Sequence, residues 1–270
     1  MKYKNDIKSI AMGSFDGIHL AHRALIDQVD AVLIIERNGG YLTPGYKRSQ
    51  FTSKICCFYH FDKIKSLTPE AFVEKLKSDF PALETIVVGY DFHFGKNKAG
   101  DAKMLEVLFD NEVIVVDQVS IDEIPVHSRT IKGYLREGNI KMANKLLGRV
   151  HHIEGNVVSG QGLGKKELVA TINLNVIHYQ LPLEGVYATR TCIEDEWFDS
   201  VSFLGHRVTT DDSFAVETHI LGKEIGVVKG TVKLAFIDFI RGNQKFDSLE
   251  VLKQQIHADM VCAKEVLLKD

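Results

Sequence analysis

Two histidines, His19 and His22, follow a turn punctuated by Gly13 and Gly17 in the stretch Gly13-Ser14-Phe15-Asp16-Gly17-Ile18-His19-Leu20-Ala21-His22. On a helix that spacing puts both rings about one turn apart, so they can face the same point. A helix start also carries unpaired backbone N–H groups and a partial positive charge, and phosphate is its usual anion. The same residues could instead be packed core histidines or a transition-metal pair, but no third ligand stands nearby. Arg129, Lys132 and Arg136 fall near one helical face. From spacing alone this reads equally well as a solvated basic face or a polyphosphate clamp. Gly160-Gln161-Gly162-Leu163-Gly164-Lys165-Lys166 is a glycine-rich loop whose amides and ammonium groups could cover a phosphate tail. It lacks the G-x-x-x-x-G-K-[ST] pattern and is no P-loop.

These groups need elements to position them. Ile7 to Met12, Ala31 to Arg37, Ile55 to Phe61, Thr85 to Val88 and Val113 to Val116 are apolar runs suited to buried parallel strands. A helix starts near His19, with an apolar-periodic segment from Leu20 to Val29. Between the other strands, Thr68 caps a helix with Pro69 at its first position and Phe72, Val73 and Leu76 as its apolar face. Residues 100–109 read as a further helix. Strand and helix in alternation predict a doubly wound, Rossmann-like sheet, with ligands beyond the C-terminal strand ends. The His19 turn and the loop Gly89-Tyr90-Asp91-Phe92-His93-Phe94-Gly95 both fall there. Ser128 is a candidate cap for a helix over 129–137, and a second short helix runs from Ile140 to Leu147.

From Ile153 the period changes. Candidate strands are Ile153–Ser159, Ala170–Leu174, Val186–Ile193, Phe198–Leu204, Phe214–Ile220 and Thr231–Ile240. In one of them Phe214, Val216, Thr218 and Ile220 alternate with Ala215, Glu217 and His219. Period-two strands at short intervals predict an antiparallel β-barrel. A helix from Leu249 to Leu268 closes the chain, with Leu249, Leu252, Ile256, Met260 and Ala263 along one side. The expected fold class is therefore α/β, with domains 1–150 and 151–270 meeting near Gly148–His152.

Composition narrows the function classes. Net charge is −3, which gives no broad basic surface for nucleic acid. No apolar run approaches the roughly 20 residues that span a bilayer, and residues 1–6 lack a signal-peptide core. Cys56, Cys57, Cys192 and Cys262 form no C-x-x-C pair and read as reduced thiols, so a cytoplasmic protein is expected. Nothing in the sequence sets an oligomeric state.

The motifs, in their order along the chain, resemble those of the bacterial bifunctional riboflavin kinase/FMN adenylyltransferases, or FAD synthetases. Residues 13–22 are similar to that family's G-x-F-D-G-x-H-x-G-H, with Ala21 in place of a glycine. Residues 88–95 are similar to V-G-x-D-F-x-F-G, and Leu146-Leu147-Gly148-Arg149 to L-L-G-R. Residues 239–249 resemble the segment that enters the kinase domain's last helix. There are departures. S-S-T-x-I-R reads His127-Ser128-Arg129-Thr130-Ile131-Lys132, which keeps a charge but loses the guanidinium fork. T-F-x-P-H-P is absent, with Ile34 to Gly39 in its place. G-F-P-T-A-N becomes Leu168-Val169-Ala170-Thr171-Ile172-Asn173, and N-I-G-x-x-P-T becomes Phe203-Leu204-Gly205-His206-Arg207-Val208-Thr209. The adenylyltransferase motifs are thus better kept than the kinase motifs.

The resemblance implies ATP, riboflavin and FMN as small-molecule substrates, and Mg²⁺. In the first domain it implies His19, His22 and Lys132 as catalytic donors, and Gly13, Phe15, Asp16, Gly17 and Ser128 at the nucleotide. Asp91 and Phe92 would lie toward the flavin. In the second domain it implies Glu217 as general base, Thr171 and Asn173 at the metal, Gly162, Gly164 and Lys165 over the phosphates, and Arg241 by the flavin. Two alternatives stand beside it: an FAD synthetase with a degenerate flavin-binding barrel, and a related nucleotidyltransferase with another acceptor.

Overall fold

The structure is a computed structural model that describes residues 6–37, 41–159, 169–209 and 212–270. The chain divides into two compact units, Met1–Ser128 and Arg129–Asp270.

The first unit is built on a five-stranded parallel sheet. Its strands are β1 Ser9–Gly13, β2 Ala31–Glu36, β3 Ile55–His60, β4 Thr85–Gly89 and, after two short strands β5 His93–Phe94 and β6 Gly100–Asp101, β7 Glu112–Val116, in the order β3-β2-β1-β4-β7. A small hairpin, β8 Ser120–Ile121 and β9 Ile124–Pro125, follows. The helices are α1 Leu20–Ile26, α2 Phe61–Ile64, α3 Pro69–Asp79 and α4 Ala102–Leu108, with a 3₁₀ segment over Gly45–Phe51. Alternate residues of each strand enter two different cores. Ile10, Met12, Leu33, Ile86 and Val88 pack with Phe72, Leu76 and Leu105, whereas Ala11, Val32, Ile34 and Val87 pack with Leu25 and Ile26. Burial on both faces explains why these strands read as unbroken apolar runs.

Local chemistry sets the helix starts. Thr68 Oγ1 accepts from Ala71 N at 3.2 Å with Pro69 at the first turn, as the sequence predicts. The helix expected over 100–109 begins later. Gly100 and Asp101 pair with β5, and Asp101 then caps α4 by accepting from Met104 N. Gly100 lies so close to Phe94 that a Cβ would meet the ring at 2.7 Å, which favours the strand over a helix there. The helix expected from Arg129 starts one residue earlier. Ser128 is the first residue of α5 (Ser128–Arg136), and its hydroxyl donates to the Asp16 carbonyl at 2.7 Å.

The second unit is a closed six-stranded antiparallel barrel, β10-β11-β14-β13-β12-β15, made of β10 His152–Val158, β11 Ile172–Asn175, β12 Gly185–Ile193, β13 Glu196–His206, β14 Phe214–Ile220 and β15 Thr231–Gly242. Helix α6 (Ile140–Leu147) is tied to it. Asn144 donates to the Phe236 carbonyl at 2.9 Å and accepts from His151 N at 2.7 Å. Leu183 N likewise donates to the Leu135 carbonyl of α5. In β14 the period of two holds at Val216, Thr218 and Ile220, but Phe214 is exposed at the strand's mouth. The terminal helix is α7, Leu249–Leu267, capped by Ser248. Its buried stripe is Asp259, Ala263 and Leu267, and Leu249 of the predicted stripe is 42% exposed. The first turn of α7 is open to solvent, with Leu249 and Val251 both exposed.

The barrel interior holds a polar feature. Thr189, Thr191, Ser200, Ser202 and Thr218 are all buried. Their hydroxyls form a closed ring, Thr189–Ser200 at 2.8 Å, Ser200–Thr191 at 2.8 Å, Thr191–Thr218 at 2.9 Å, Thr218–Ser202 at 2.9 Å and Ser202–Thr189 at 2.7 Å. One hydroxyl has one hydrogen to give. Five hydroxyls in a cycle therefore satisfy one another, and the barrel buries them without an unmade bond.

Candidate functional site

The strand order turns back at β1. β2 lies on one side and β4 on the other, so the crevice at their C-terminal ends is the switch point where doubly wound sheets bind ligands. β1 delivers the segment 13–19 there, and β4 delivers 90–95.

The turn after β1 is strained. Phe15 has φ 47°, Ile18 φ 42° and Gly17 φ 93°. Glycine is at home at such a φ, but for β-branched Ile18 it costs on the order of 1–3 kcal/mol. The strained turn aims the two histidines. His19 caps α1, its Nδ1 accepting from His22 N at 3.3 Å, and the two rings stack at 3.5 Å between centroids. With Nδ1 an acceptor, the neutral His19 ring carries its proton on Nε2. Phe15, 1% exposed, meets the His22 ring edge-on at 5.1 Å and so buttresses it. Burial pushes the His22 imidazole well below its usual value, and His19, Arg48 and His127 add to the effect. His22 is therefore neutral near pH 7.

Asp16 is the staple of the turn. Its Oδ1 accepts from Thr43 N at 3.1 Å, and its carbonyl takes the Ser128 hydroxyl. Gly13 lies against Phe15, whose ring a Cβ would meet at 3.4 Å. On the neighbouring loop Asp91 is exposed, and its carbonyl is bonded to His93 Nδ1 at 2.9 Å. Phe92 is partly buried and stacks on Phe94 at 5.7 Å. Tyr90 Oη meets His127 Nε2 at 3.1 Å and Gln118 at 2.9 Å. Lys132 sits on α5 one turn after Ser128 and is partly buried.

One residue near the histidines carried no signal in the sequence. Arg48 is fully buried, donates from Nη1 to Glu36 and lies 4.7 Å from the centre of the Tyr41 ring. An arginine in a polar stretch between Gly45 and Phe51 reads as surface, and only the folded chain shows that it sits close enough to act on His22.

In the barrel, β11 and β14 pair so that Asn173 lies opposite Glu217. Both are bound by Arg207, which follows β13. Its Nε and Nη2 donate to Glu217 Oε1 at 3.0 and 2.5 Å, and Nη2 donates to Asn173 Oδ1 at 2.8 Å. Thr171 lies two residues before Asn173, in a segment anchored by His219 Nδ1 on the Ala170 carbonyl at 2.7 Å. Arg241 makes a two-pronged pair with buried Asp259, at 2.9 and 2.8 Å, and lies 5.5 Å from the Phe246 ring centre. That pair fastens α7 to β15. Gly162, Gly164 and Lys165 lie outside the described residues.

No group of three or more His, Cys, Asp or Glu among the described residues is placed to hold a metal. A neutral amide oxygen beside a carboxylate, with a threonine hydroxyl two residues away, is a hard-oxygen set. It suits a magnesium ion carried largely by substrate phosphates and water. No helix of the described residues is long and apolar enough to cross a membrane.

Two protein families match different parts of the chain. The riboflavin kinase family matches residues 147–267, and the FAD synthetase family matches 47–130. The histidine turn precedes the second of these segments. A bifunctional riboflavin kinase/FMN adenylyltransferase of Pseudomonas fluorescens is 27% identical over 94% of this chain and 91% of that protein. Its counterparts in Listeria monocytogenes and Escherichia coli are 27% and 24% identical, over 93% and 95% of this chain and 90% and 91% of theirs. A crystal structure described as a macrolide-efflux protein from Streptococcus pneumoniae superposes with a TM-score of 0.84 at 26% identity, over 98% of this chain and 97% of that one.

Proposed function

We infer that this chain, which belongs to the bifunctional riboflavin kinase/FMN adenylyltransferases, phosphorylates riboflavin to FMN and adenylylates FMN to FAD. One observation supports both activities in one chain: the half whose motifs depart most still sets Glu217 opposite Asn173 across a strand pair. A degenerate barrel is not favoured, because the riboflavin kinase family matches residues 147–267, which include all six barrel strands.

In the kinase step, as we propose it, Glu217 takes the proton of riboflavin's 5′-hydroxyl as that oxygen bonds to the γ-phosphorus of ATP. The bond from the γ-phosphorus to the bridging oxygen breaks, and ADP leaves. Asn173 and Thr171 hold Mg²⁺, which supplies charge neutralisation on the phosphates when bound. Gly162, Gly164 and Lys165 cover the phosphates, and Arg241 borders the flavin.

In the adenylyl step an FMN phosphate oxygen bonds to the α-phosphorus of a second ATP, and pyrophosphate leaves. The protein makes no covalent bond. It aligns the reactants and stabilises developing charge. Neutral His19 and His22 donate to the triphosphate, and Lys132 and Ser128 contact its β- and γ-phosphates. Gly13, Phe15, Asp16 and Gly17 shape the turn that receives the nucleotide, with Asp91 and Phe92 toward the flavin. Domains 1–150 and 151–270 divide the two activities. The cytoplasm is the proposed location, and the four free cysteines suit a reducing compartment.

One incubation tests the scheme. Purified protein receives riboflavin, ATP and Mg²⁺, and the flavins are separated. FMN and FAD are both expected. FAD formed only from added FMN would remove the kinase assignment, and no FAD from FMN would remove the adenylyltransferase. Glu217→Gln should lower FMN formation by roughly 10²–10⁴-fold and spare FAD formation from FMN. Loss of both would make Glu217 a structural residue.

A further inference from the structure

Arg207 carries no role in the mechanism above, yet its guanidinium sits on the two groups that the kinase step needs. It reaches Glu217 Oε1 from two nitrogens at 3.0 and 2.5 Å and Asn173 Oδ1 at 2.8 Å. A third nitrogen, Nη1, donates to Ser213 Oγ at 2.8 Å. The backbone beneath is also fixed, with Arg207 N bonded to the Ser213 carbonyl at 2.9 Å and the Arg207 carbonyl accepting from Asp212 N at 3.1 Å. The side chains of Arg207 and Glu217 are only 18% and 23% exposed, so the charge contact is less screened than a surface pair.

A guanidinium and a divalent cation compete for this corner of the barrel. Both are drawn to the Asn173 amide oxygen, which Arg207 Nη2 already occupies, and two cations brought that close repel each other. The planar fork suits the job, since one nitrogen bridges carboxylate and amide while others hold the carboxylate and Ser213. Lysine, a single point charge, could not span all three.

We propose that Arg207 is a built-in counter-cation of the kinase site, which holds Glu217 and Asn173 until magnesium–ATP displaces it and thereby frees the Glu217 carboxylate to accept the proton. Arg207 is a positioning residue in this scheme, and it couples availability of the base to arrival of the metal–nucleotide. The inference rests on the proposed kinase reading of the barrel.

The test uses the full chain and a probe confined to the barrel. Trp197 is the protein's one tryptophan and lies in β13, so its fluorescence reports barrel unfolding. Thermal midpoints are measured at fixed ADP while Mg²⁺ is varied, and the half-saturating Mg²⁺ concentration is read from the rise in midpoint. Arg207→Gln should half-saturate at roughly tenfold lower Mg²⁺ than wild type, the size of one partly screened charge contact. Arg207→Lys should fall between the two. The KM for magnesium–ATP in FMN formation should drop in parallel. An unchanged or raised half-saturation in Arg207→Gln, with a cooperative melt, overturns the proposal. If Arg207→Gln does not fold, Arg207→Lys decides by the same criterion. A wild type that shows neither an Mg²⁺–ADP shift nor FMN formation removes the kinase reading, and this inference with it. A normal wild type with unresponsive variants removes the inference alone.

Discussion

The hydroxyl ring inside the barrel makes a prediction that depends on its topology. Thr189, Ser200, Thr191, Thr218 and Ser202 each touch two ring neighbours, at 2.7–2.9 Å. Thr→Val keeps the side-chain shape and removes one hydroxyl. Thr191→Val therefore deletes two ring bonds and leaves Ser200 and Thr218 each a partner short. At about 1 kcal/mol net per bond the loss is about 2 kcal/mol, with a further contribution from the stranded polar atom. Thr218→Val also deletes two bonds. The double variant Thr191→Val/Thr218→Val deletes three, because the two residues share one, so it should cost about 3 kcal/mol rather than 4. Thr189 and Thr191 are not ring neighbours, since Ser200 lies between them. Their double variant deletes four bonds, isolates Ser200, and should cost about 4 kcal/mol or more. Urea unfolding followed by Trp197 fluorescence reads the barrel alone. Equal additivity in the adjacent and the non-adjacent pair would refute the ring as a cooperative unit.

Other predictions use the same structure. His151 is 1% exposed, and burial lowers its pKa to about 3. The unfolded chain takes the proton near pH 6.5 and the fold does not. Barrel stability should therefore fall by about 1.4 kcal/mol per pH unit as pH drops from 6.5 toward 3, and His151→Leu should flatten that slope in Trp197-detected urea midpoints. His22→Ala should reduce FAD formation from FMN by roughly 10²–10³-fold, the loss seen when one charge-stabilising donor is removed, with FMN formation from riboflavin unchanged. A Cβ at Gly185 would stand 2.3 Å from the Arg241 carbonyl oxygen, so Gly185→Ala should cost the barrel upwards of about 3 kcal/mol in the same denaturation assay.

Much of this was legible because the physics is local or periodic. Two-sided burial writes continuous apolar runs, so β1, β2, β3, β4 and β7 stand out, and Thr68-Pro69 announces α3. The histidine turn is legible for a related reason, since glycines mark where the backbone must bend. What escaped depends on tertiary contact. Asp101 outcompetes residue 100 as the start of α4 because Gly100 is needed against Phe94. Ser128 spends its hydroxyl on Asp16, 112 residues away in sequence. Arg48 and Arg207 look like surface charges in polar turns until the fold buries one and lays the other across Glu217. The five ring hydroxyls read as ordinary strand Ser and Thr, because nothing in period two says that polar side chains point inward together.

The weakest motif in the sequence is also the one whose altered residues matter least to the geometry. Where the family carries glycine and proline before the threonine, this chain has Leu168 and Ala170. Those residues lie before β11. What sets Asn173 against Glu217 is the antiparallel register of β11 on β14, in which Ile172 faces Thr218 and Asn173 faces Glu217. That register is pinned again on the other side of β14, where Phe203 pairs with Glu217 and Ser202 with Thr218. A one-residue slip would turn Glu217 into the barrel and Thr218 out of it, and the hydroxyl ring through Thr218 opposes that slip. The ring and the proposed kinase site are thus held by one strand alignment. A variant that opens the ring by shifting register should weaken magnesium–nucleotide binding, whereas one that only removes a hydroxyl, such as Thr191→Val, should lower stability and leave that binding intact.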